Sequence, residues 1–344
     1  MKIFYSDLHF QHAPDFEVFD GGVRVPTFEV PERAERILAA LRKTGWAEIH
    51  PPVDFGLEPI LAVHERGYVE FLASAWTEWL VTDPEADSAT DKSALLPATF
   101  ALRGQAHPAK SLLGRAGYYM MDLSAPIVAG TYAAALASAN CALSAAQEIT
   151  HTSSAFALCR PPGHHAGRSH CGGYCYFNNA AIAAHWLSAR GKVALLDIDY
   201  HAGNGTQDIF YERGDVLSIS IHADPACEYP YYAGYAEERG AGAGLGFHHN
   251  FPLPAGTDDG EYLAALGDAL HLIREFQPAA LVISAGMDIY TDDPLGRIHI
   301  TRAGIRQIGA RIAELRLPTA VIMEGGYNNQ ALGENVTAFL GEFK

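Results

Sequence analysis

The stretch LLDIDYHAGNGTQDIFY, from Leu195 to Tyr211, decides the fold. Val193 to Leu196 form a continuous apolar run, the pattern of a strand inside a parallel sheet, where both faces are covered. Asp197, Asp199 and His201 then break the run at every second position, before a Gly-Asn-Gly turn. Side chains alternate along a strand, so Asp199 and His201 project the same way and can reach one ion together. A carboxylate and an imidazole at the carboxyl end of a buried strand read as part of a metal chelate. Turn chemistry alone would account for an isolated Asp-x-His, so the flanking sequence has to decide between the two.

Outward from this stretch, strand-like runs alternate with helix-like ones. Strands are expected at Ser154–Leu158, Val193–Leu196, Val216–Ile221, Ala279–Ser284 and Thr319–Met323, and helices at Asn178–Ala189, Gly260–Phe276 and Arg302–Leu315. This rhythm predicts an α/β fold, a central, mostly parallel sheet flanked by helices on both faces. No repeat, low-complexity tract or linker divides the chain, so residues 1–344 are read as a single domain. Thr82 to Met121 is the exception, with no clear period. A loop of that length is usually functional or disordered. Its later part, LLGRAGYYMMDLSAPIVAGTY, is too aromatic and apolar for simple disorder and is expected to pack against something.

A hydrophobic content of 49% over 344 residues is ample for a core without staples. The formal charge of -16 disfavours nucleic acid and anionic membrane and favours cationic ligands, although a solvated acidic surface accounts for the same number. Five cysteines (Cys141, Cys159, Cys171, Cys175, Cys227) are odd in number and lack zinc-finger spacing, which suits reduced thiols in a cytoplasm. No signal-like core follows MKIFYSDLH and no apolar run reaches about 18 residues. A soluble, cytoplasmic protein is expected.

Four further sites bear on the first. In LCRPPGHHAGRSHCGGYCYFNNAA, the vicinal His164 and His165 follow Pro-Pro-Gly, and a turn fixed by proline and opened by glycine can aim both into one cleft. LVISAGMDIYTDDPLG is another apolar strand ending in an acid, Asp288, with small residues before it that permit close approach. A helix cap is the plainer role for such an aspartate. With Asp199 and His201 it would complete three protein ligands and leave the open position of a catalytic metal site. AVIMEGGYNNQALG places Tyr327 on a turn, where its hydroxyl could donate to an oxyanion as a carbonyl is attacked. Tyr174 and Tyr229, the latter in CEYPYYAGY, are candidate walls of a slot, though ordinary core packing suits them equally.

Taken together, RPPGHHA, GGYCYFNNAAIAA, DIDYHAGNGTQDIFY, SISIH and MDIYTDDPLG closely resemble, in order and spacing, the histone deacetylase family of arginase-like zinc amidohydrolases. The resemblance runs from IFYSDLH to GGYN. GGVRVPTFEVPERAERIL, the insertion at about 82–121 and GYYMMDLSAPIVAGTY look like its bacterial acetylpolyamine amidohydrolase branch. The resemblance implies an arginase/deacetylase-like fold and one zinc ion per subunit held by Asp199, His201 and Asp288, a place Fe2+ or Co2+ could also take. It implies His164 and His165 as the catalytic pair, partnered by Asp197 and Asn204, and Tyr327 as the group polarising the scissile carbonyl. An Asp partner raises imidazole basicity more than Asn does, so His165 is expected as general base and acid and His164 as a charged helper.

Gly173, Tyr174 and Tyr229 are expected to contact substrate, and Arg33 to line the family's product-exit region. A structural potassium ion is expected on the main-chain carbonyls of Asp197, Asp199 and His201 with Ser220. Glu17, in DFEVFDGG, is the candidate carboxylate for a distal ammonium. One departure is Ala202, where the family usually has a second histidine; that position is not a metal ligand, so activity should survive with altered local packing. The implied reaction is deacetylation of small cationic acetylated amines, such as acetylputrescine or acetylcadaverine, to acetate and free amine, in a homodimer whose insertion narrows the entrance. The rivals are a protein-lysine deacetylase or hydrolase of another small amide on the same scaffold, and a non-catalytic acetyl-amine binder, which the full set of ligands, histidines and tyrosine argues against. An arginase-like two-manganese site would need more carboxylates than the motifs supply.

Overall fold

A computed structural model describes residues 1–81, 93–102, 107 and 109–344. Among them are the strands β1 (Lys2–Phe4), β2 (Glu17–Phe19), β3 (Val23–Val25), β4 (Glu48–His50), β5 (Ser154–Ala157), β6 (Val193–Asp197), β7 (Val216–Ala223), β8 (His248–Leu253), β9 (Ala280–Ala285) and β10 (Thr319–Met323). Eight of them form one sheet in the order β4-β1-β5-β10-β9-β6-β7-β8, with every pairing parallel. β2 and β3 make a separate antiparallel hairpin. All five expected strands are present, within two residues of their predicted ends. β1 and β4 are too short to show a period. β8, HHNFPL, lies at the sheet edge, where Pro252 is tolerated.

The pleat separates two hydrophobic layers. Ala155, Ala157, Val193, Leu195, Val282, Ala320 and Ile322 face one core, and Phe156, Ala194, Leu196, Leu281, Ile283 and Val321 face the other. The first layer holds the alanine-rich helix Thr131–Glu148, packed against Asn179–Ser188 through buried alanines that permit close approach. The second holds Glu32–Leu41, Asp259–Phe276, Arg302–Ala313 and Leu332–Leu340. Asp258 and Glu261 close a capping box on Asp259–Phe276, and left-handed Gln277 ends that helix. No helix among the described residues is long and apolar enough to cross a membrane.

Within the Thr82–Met121 segment, residues 82–92, 103–106 and 108 lie outside the described residues. The remainder contains a helix, Leu112–Tyr119, that packs on its own chain. Tyr119 sits 5.8 Å from Tyr68 and 5.1 Å from Phe71, ring to ring, and Arg115 pairs with Glu78. These partners belong to the helix Arg66–Val81.

At the centre of the sheet stand β5, β10, β9 and β6 as consecutive neighbours. The loops leaving their carboxyl ends carry His164 and His165, Tyr327, Asp288, and Asp199 and His201 respectively. Open α/β sheets place their sites above such ends.

Candidate active site

β6 and β9 are adjacent, with Asp197 opposite Ser284, so the segments leaving them run side by side. His201 Nδ1 lies 3.3 Å from Asp199 Oδ1 and 3.3 Å from Asp288 Oδ2. The other carboxylate oxygens are held by the backbone: Gly325 N donates to Asp199 Oδ2 at 2.8 Å and Tyr200 N to Asp288 Oδ1 at 3.0 Å. Small residues make this convergence possible. A Cβ on Gly286 would collide with Asp199, and one on Gly325 with both carboxylates.

Asp288 Oδ2 is buried without a hydrogen-bond partner. Burial and the neighbouring Asp199 push this carboxyl up to about 7. An orphaned carboxylate oxygen, a second carboxylate and an imidazole nitrogen within 4.8 Å of one another are a donor set suited to a dication. His164, Cys175 and Glu324 form a second such group. There, burial pushes the Cys175 thiol well up, and Glu324 Oε2 already accepts from Gly163 N and His164 N.

His164 and His165 lie side by side, with ring centroids 4.0 Å apart. His164 Nδ1 is 3.0 Å from Asp197 Oδ2, and its Nε2 is 3.6 Å from Asp199 Oδ1. Burial alone would lower the His164 pKa, but Asp199 and Asp197 together outweigh it and hold it well above the ordinary value. His165 Nδ1 meets the Asn204 carbonyl oxygen at 2.7 Å. Burial, then the charges of His164 and His201, hold its pKa well below the ordinary value. A neutral His165 that donates from Nδ1 keeps the Nε2 lone pair free.

Tyr327 follows β10 after two glycines, the second at φ 122°. Its backbone N donates to Asp293 Oδ2 at 2.6 Å, and burial pushes its phenol well up, so it remains a donor. Arg33 clamps this loop. Its Nε donates to Gly326 O at 2.6 Å, its Nη2 to Glu324 O at 2.7 Å and its Nη1 to Glu29 at 2.7 Å, with the guanidinium 4.7 Å from the Tyr327 ring centroid. Glu324 in turn accepts from Gly163 N and His164 N at 2.6 and 3.1 Å, tying the histidine turn to β10.

A cavity of about 480 Å³ opens onto these groups, lined in part by His165, His201, Gly173, Tyr174, Tyr229 and Tyr327. Tyr229 stands edge-on to His165 at 4.9 Å, and Tyr174 lies 5.6 Å from Tyr327. Gly173 adopts φ 52°, and a Cβ there would strike His165. Asp122, Glu228 and Arg297 also line the cavity.

Glu17 is placed elsewhere than expected. It is fully buried and off the cavity wall, where Oε1 accepts from Phe28 N at 3.0 Å, and burial pushes its carboxyl up to about 7. It therefore does not stand at the mouth. Ser220 is buried, 2.6 Å from His222 Nδ1. His222 Nε2 donates to Gly234 O at 2.8 Å, so Nδ1 accepts the Ser220 proton and the Ser220 lone pairs remain available. Ala202 is buried, and a Cβ on Gly234 would come within 2.6 Å of it, so the loop after Tyr229 packs directly on the small side chain.

Sequence reasoning missed Asp122, Asp293, Glu324 and the Glu228–Arg297 pair. Glu324 carried a signal, being a third acid at the end of an apolar strand; the others sit in loops without periodicity.

The histone deacetylase domain model matches residues 27–343. The chain is 46% identical over 342 residues to acetylpolyamine amidohydrolase 1 of Pseudomonas aeruginosa, covering 98% of this chain and 96% of that protein. It is 42% identical to the acetylpolyamine amidohydrolase of Mycoplana ramosa, over 99% of this chain and 98% of that one. The crystal structure of an acetylpolyamine aminohydrolase from Burkholderia pseudomallei superposes with a TM-score of 0.94 at 40% identity, covering 100% of this chain and 98% of that one. These matches span the whole sheet and every loop that carries the site, and on them the chain belongs to the histone deacetylase family and is a deacetylase, a hydrolase of amide bonds.

Proposed function

We propose that this protein is a zinc-dependent amidohydrolase that removes the acetyl group from acetylated polyamines such as acetylputrescine or acetylcadaverine, yielding acetate and the free amine. The observation that carries the reading is the meeting of Asp199, His201 and Asp288 at the foot of a slot walled by Tyr174 and Tyr229. Identity of 46% and 42% over nearly the full length to named acetylpolyamine amidohydrolases supports the substrate class. Two aspartates and one histidine suit zinc, and the orphaned Asp288 oxygen fits the role of ligand. Bound there, zinc would supply Lewis acidity toward the acetamide carbonyl and a lowered pKa for water.

The chain's own groups supply the proton traffic. Neutral His165 takes the proton of the attacking water at Nε2 and returns it to the leaving amine nitrogen. Charged His164, fixed by Asp197, offsets negative charge as the tetrahedral intermediate forms. The Tyr327 hydroxyl donates to the carbonyl oxygen, and Arg33 holds the loop that presents it. Ser220 and the carbonyls of Asp197, Asp199 and His201 are assigned to a structural potassium ion.

The segment at about 82–121 is assigned to a homodimer contact near the entrance. Phe100, which lines the cavity, and Leu102, two residues on, are exposed apolar side chains, which supports the assignment. Five free cysteines suit a cytoplasmic protein. Acetate release from acetylputrescine and from acetyl-lysine peptides, with metal analysis of the same sample, tests the reading. Preference for the peptide, or turnover without metal, would overturn it. Sedimentation of the full chain against a variant lacking Ser88–Pro108 tests the dimer, which the deletion should weaken.

A further inference from the structure

Glu228 and Arg297 line the cavity but have no part in the chemistry above. Arg297 Nη1 lies 3.3 Å from Glu228 Oε1, and the pair is unequal: the glutamate side chain is 16% exposed, the arginine 72%. An ion pair with one partner so far into solvent is weak and screened by salt. Asp122, the other cavity-lining carboxylate among the described residues, is already committed. Its Oδ2 accepts from the Tyr229 hydroxyl at 2.7 Å and from Gly173 N at 2.8 Å, and its Oδ1 from Ser124 N at 3.0 Å. Glu17 is sealed behind the wall. Glu228 is thus a cavity-facing carboxylate whose partner is free to swing outward.

Position adds to charge. Glu228 immediately precedes the slot wall Tyr229, and Tyr231 lines the same cavity with its ring 6.4 Å from that of Tyr229. A cation arriving beside Glu228 therefore also meets aromatic faces, which attract ammonium groups. We propose that Glu228 selects cationic amines: the distal ammonium of the substrate displaces Arg297, its resting counter-ion, and binds Glu228 beside Tyr229 and Tyr231. This rests on the acetylpolyamine reading and assigns its charge recognition to one residue.

Two amides of equal length separate charge from shape, acetylputrescine and N-pentylacetamide, in which a methyl group replaces the ammonium. The quantity read is the ratio of kcat/KM for the charged over the neutral amide, in the full-length, metal-loaded enzyme. Glu228→Gln should lower this ratio about tenfold, mainly through KM, as expected for a lost charge-assisted contact. Arg297→Ala should move it the other way, by about threefold, since it removes a weakly bound competitor. Inhibition by free putrescine should weaken in the first variant and tighten in the second. An unchanged ratio in Glu228→Gln, or a lowered ratio in Arg297→Ala, overturns the selection. A wild-type enzyme that releases acetate from neither amide overturns the acetylpolyamine reading itself, whereas one that cleaves both, with variants of unchanged ratio, overturns only the role of Glu228.

Discussion

The Tyr229 hydroxyl donates to the Asp122 carboxylate at 2.7 Å across 107 residues of sequence, and the same oxygen accepts from Gly173 N. One carboxylate therefore sets the spacing between the aromatic wall and the glycine that faces it. Tyr229→Phe keeps the ring and loses the tie. Its KM should rise about threefold to tenfold, the usual effect of leaving a buried acceptor short of a donor, with a smaller change in kcat. Unaltered KM in this variant would show that the wall is held by packing alone.

The three-residue donor set has little redundancy. Asp288→Ala and His201→Ala should each weaken metal affinity on the order of 100-fold or more, and lose turnover with it. Metal content per chain after dialysis, measured beside activity, is the check. Stoichiometric metal in either variant would remove that residue from the site.

Tyr327→Phe should leave metal content intact and lower kcat by a factor of about 100 or more, the cost of one oxyanion donor. Single-turnover kinetics isolates this step. A loss below about threefold would assign the donor role to another group.

Glu17 gives a pH signature in stability. Its carboxyl is raised from 4.5 to about 7 in the folded chain, so between those values the folded state binds the proton more tightly than the unfolded one. Its contribution is fully present below about pH 4.5 and is lost as pH rises through about 7. Glu17→Gln removes that loss and should melt at least about 2 °C above wild type at pH 8, the two converging below pH 5. A gap independent of pH would mean that the carboxyl is not protonated in the fold.

The chemistry was legible because it sits on regular structure. Asp199, His201 and Asp288 follow apolar runs whose burial any parallel sheet demands, and the residues of those runs are buried as expected. The slot's supports were not legible. Asp122 and Glu228 lie on loops, where no period announces a side chain's direction, and their partners are far away in sequence or, as with Arg297, in another loop. Glu17 misled for a related reason: nothing in DFEVFDGG gives the direction of its side chain, and it starts β2 and turns inward to receive Phe28 N. The helix Thr131–Glu148 was hidden by its own composition, since alanine on nearly every side leaves no amphipathic stripe.

β10 follows every other sheet strand in the sequence, yet it lies between β5 and β9. A chain that lacks β10 has only two native half-sheets available to it, β4-β1-β5 and β9-β6-β7-β8, each with an unpaired interior edge. Such edges invite association with other chains until the missing strand arrives. Tyr327, the proposed oxyanion donor, lies four residues beyond that strand, so its placement depends on the gap being closed. The strand that removes the exposed edges thus also brings the proposed donor to the site, which couples completion of the sheet to completion of the active site.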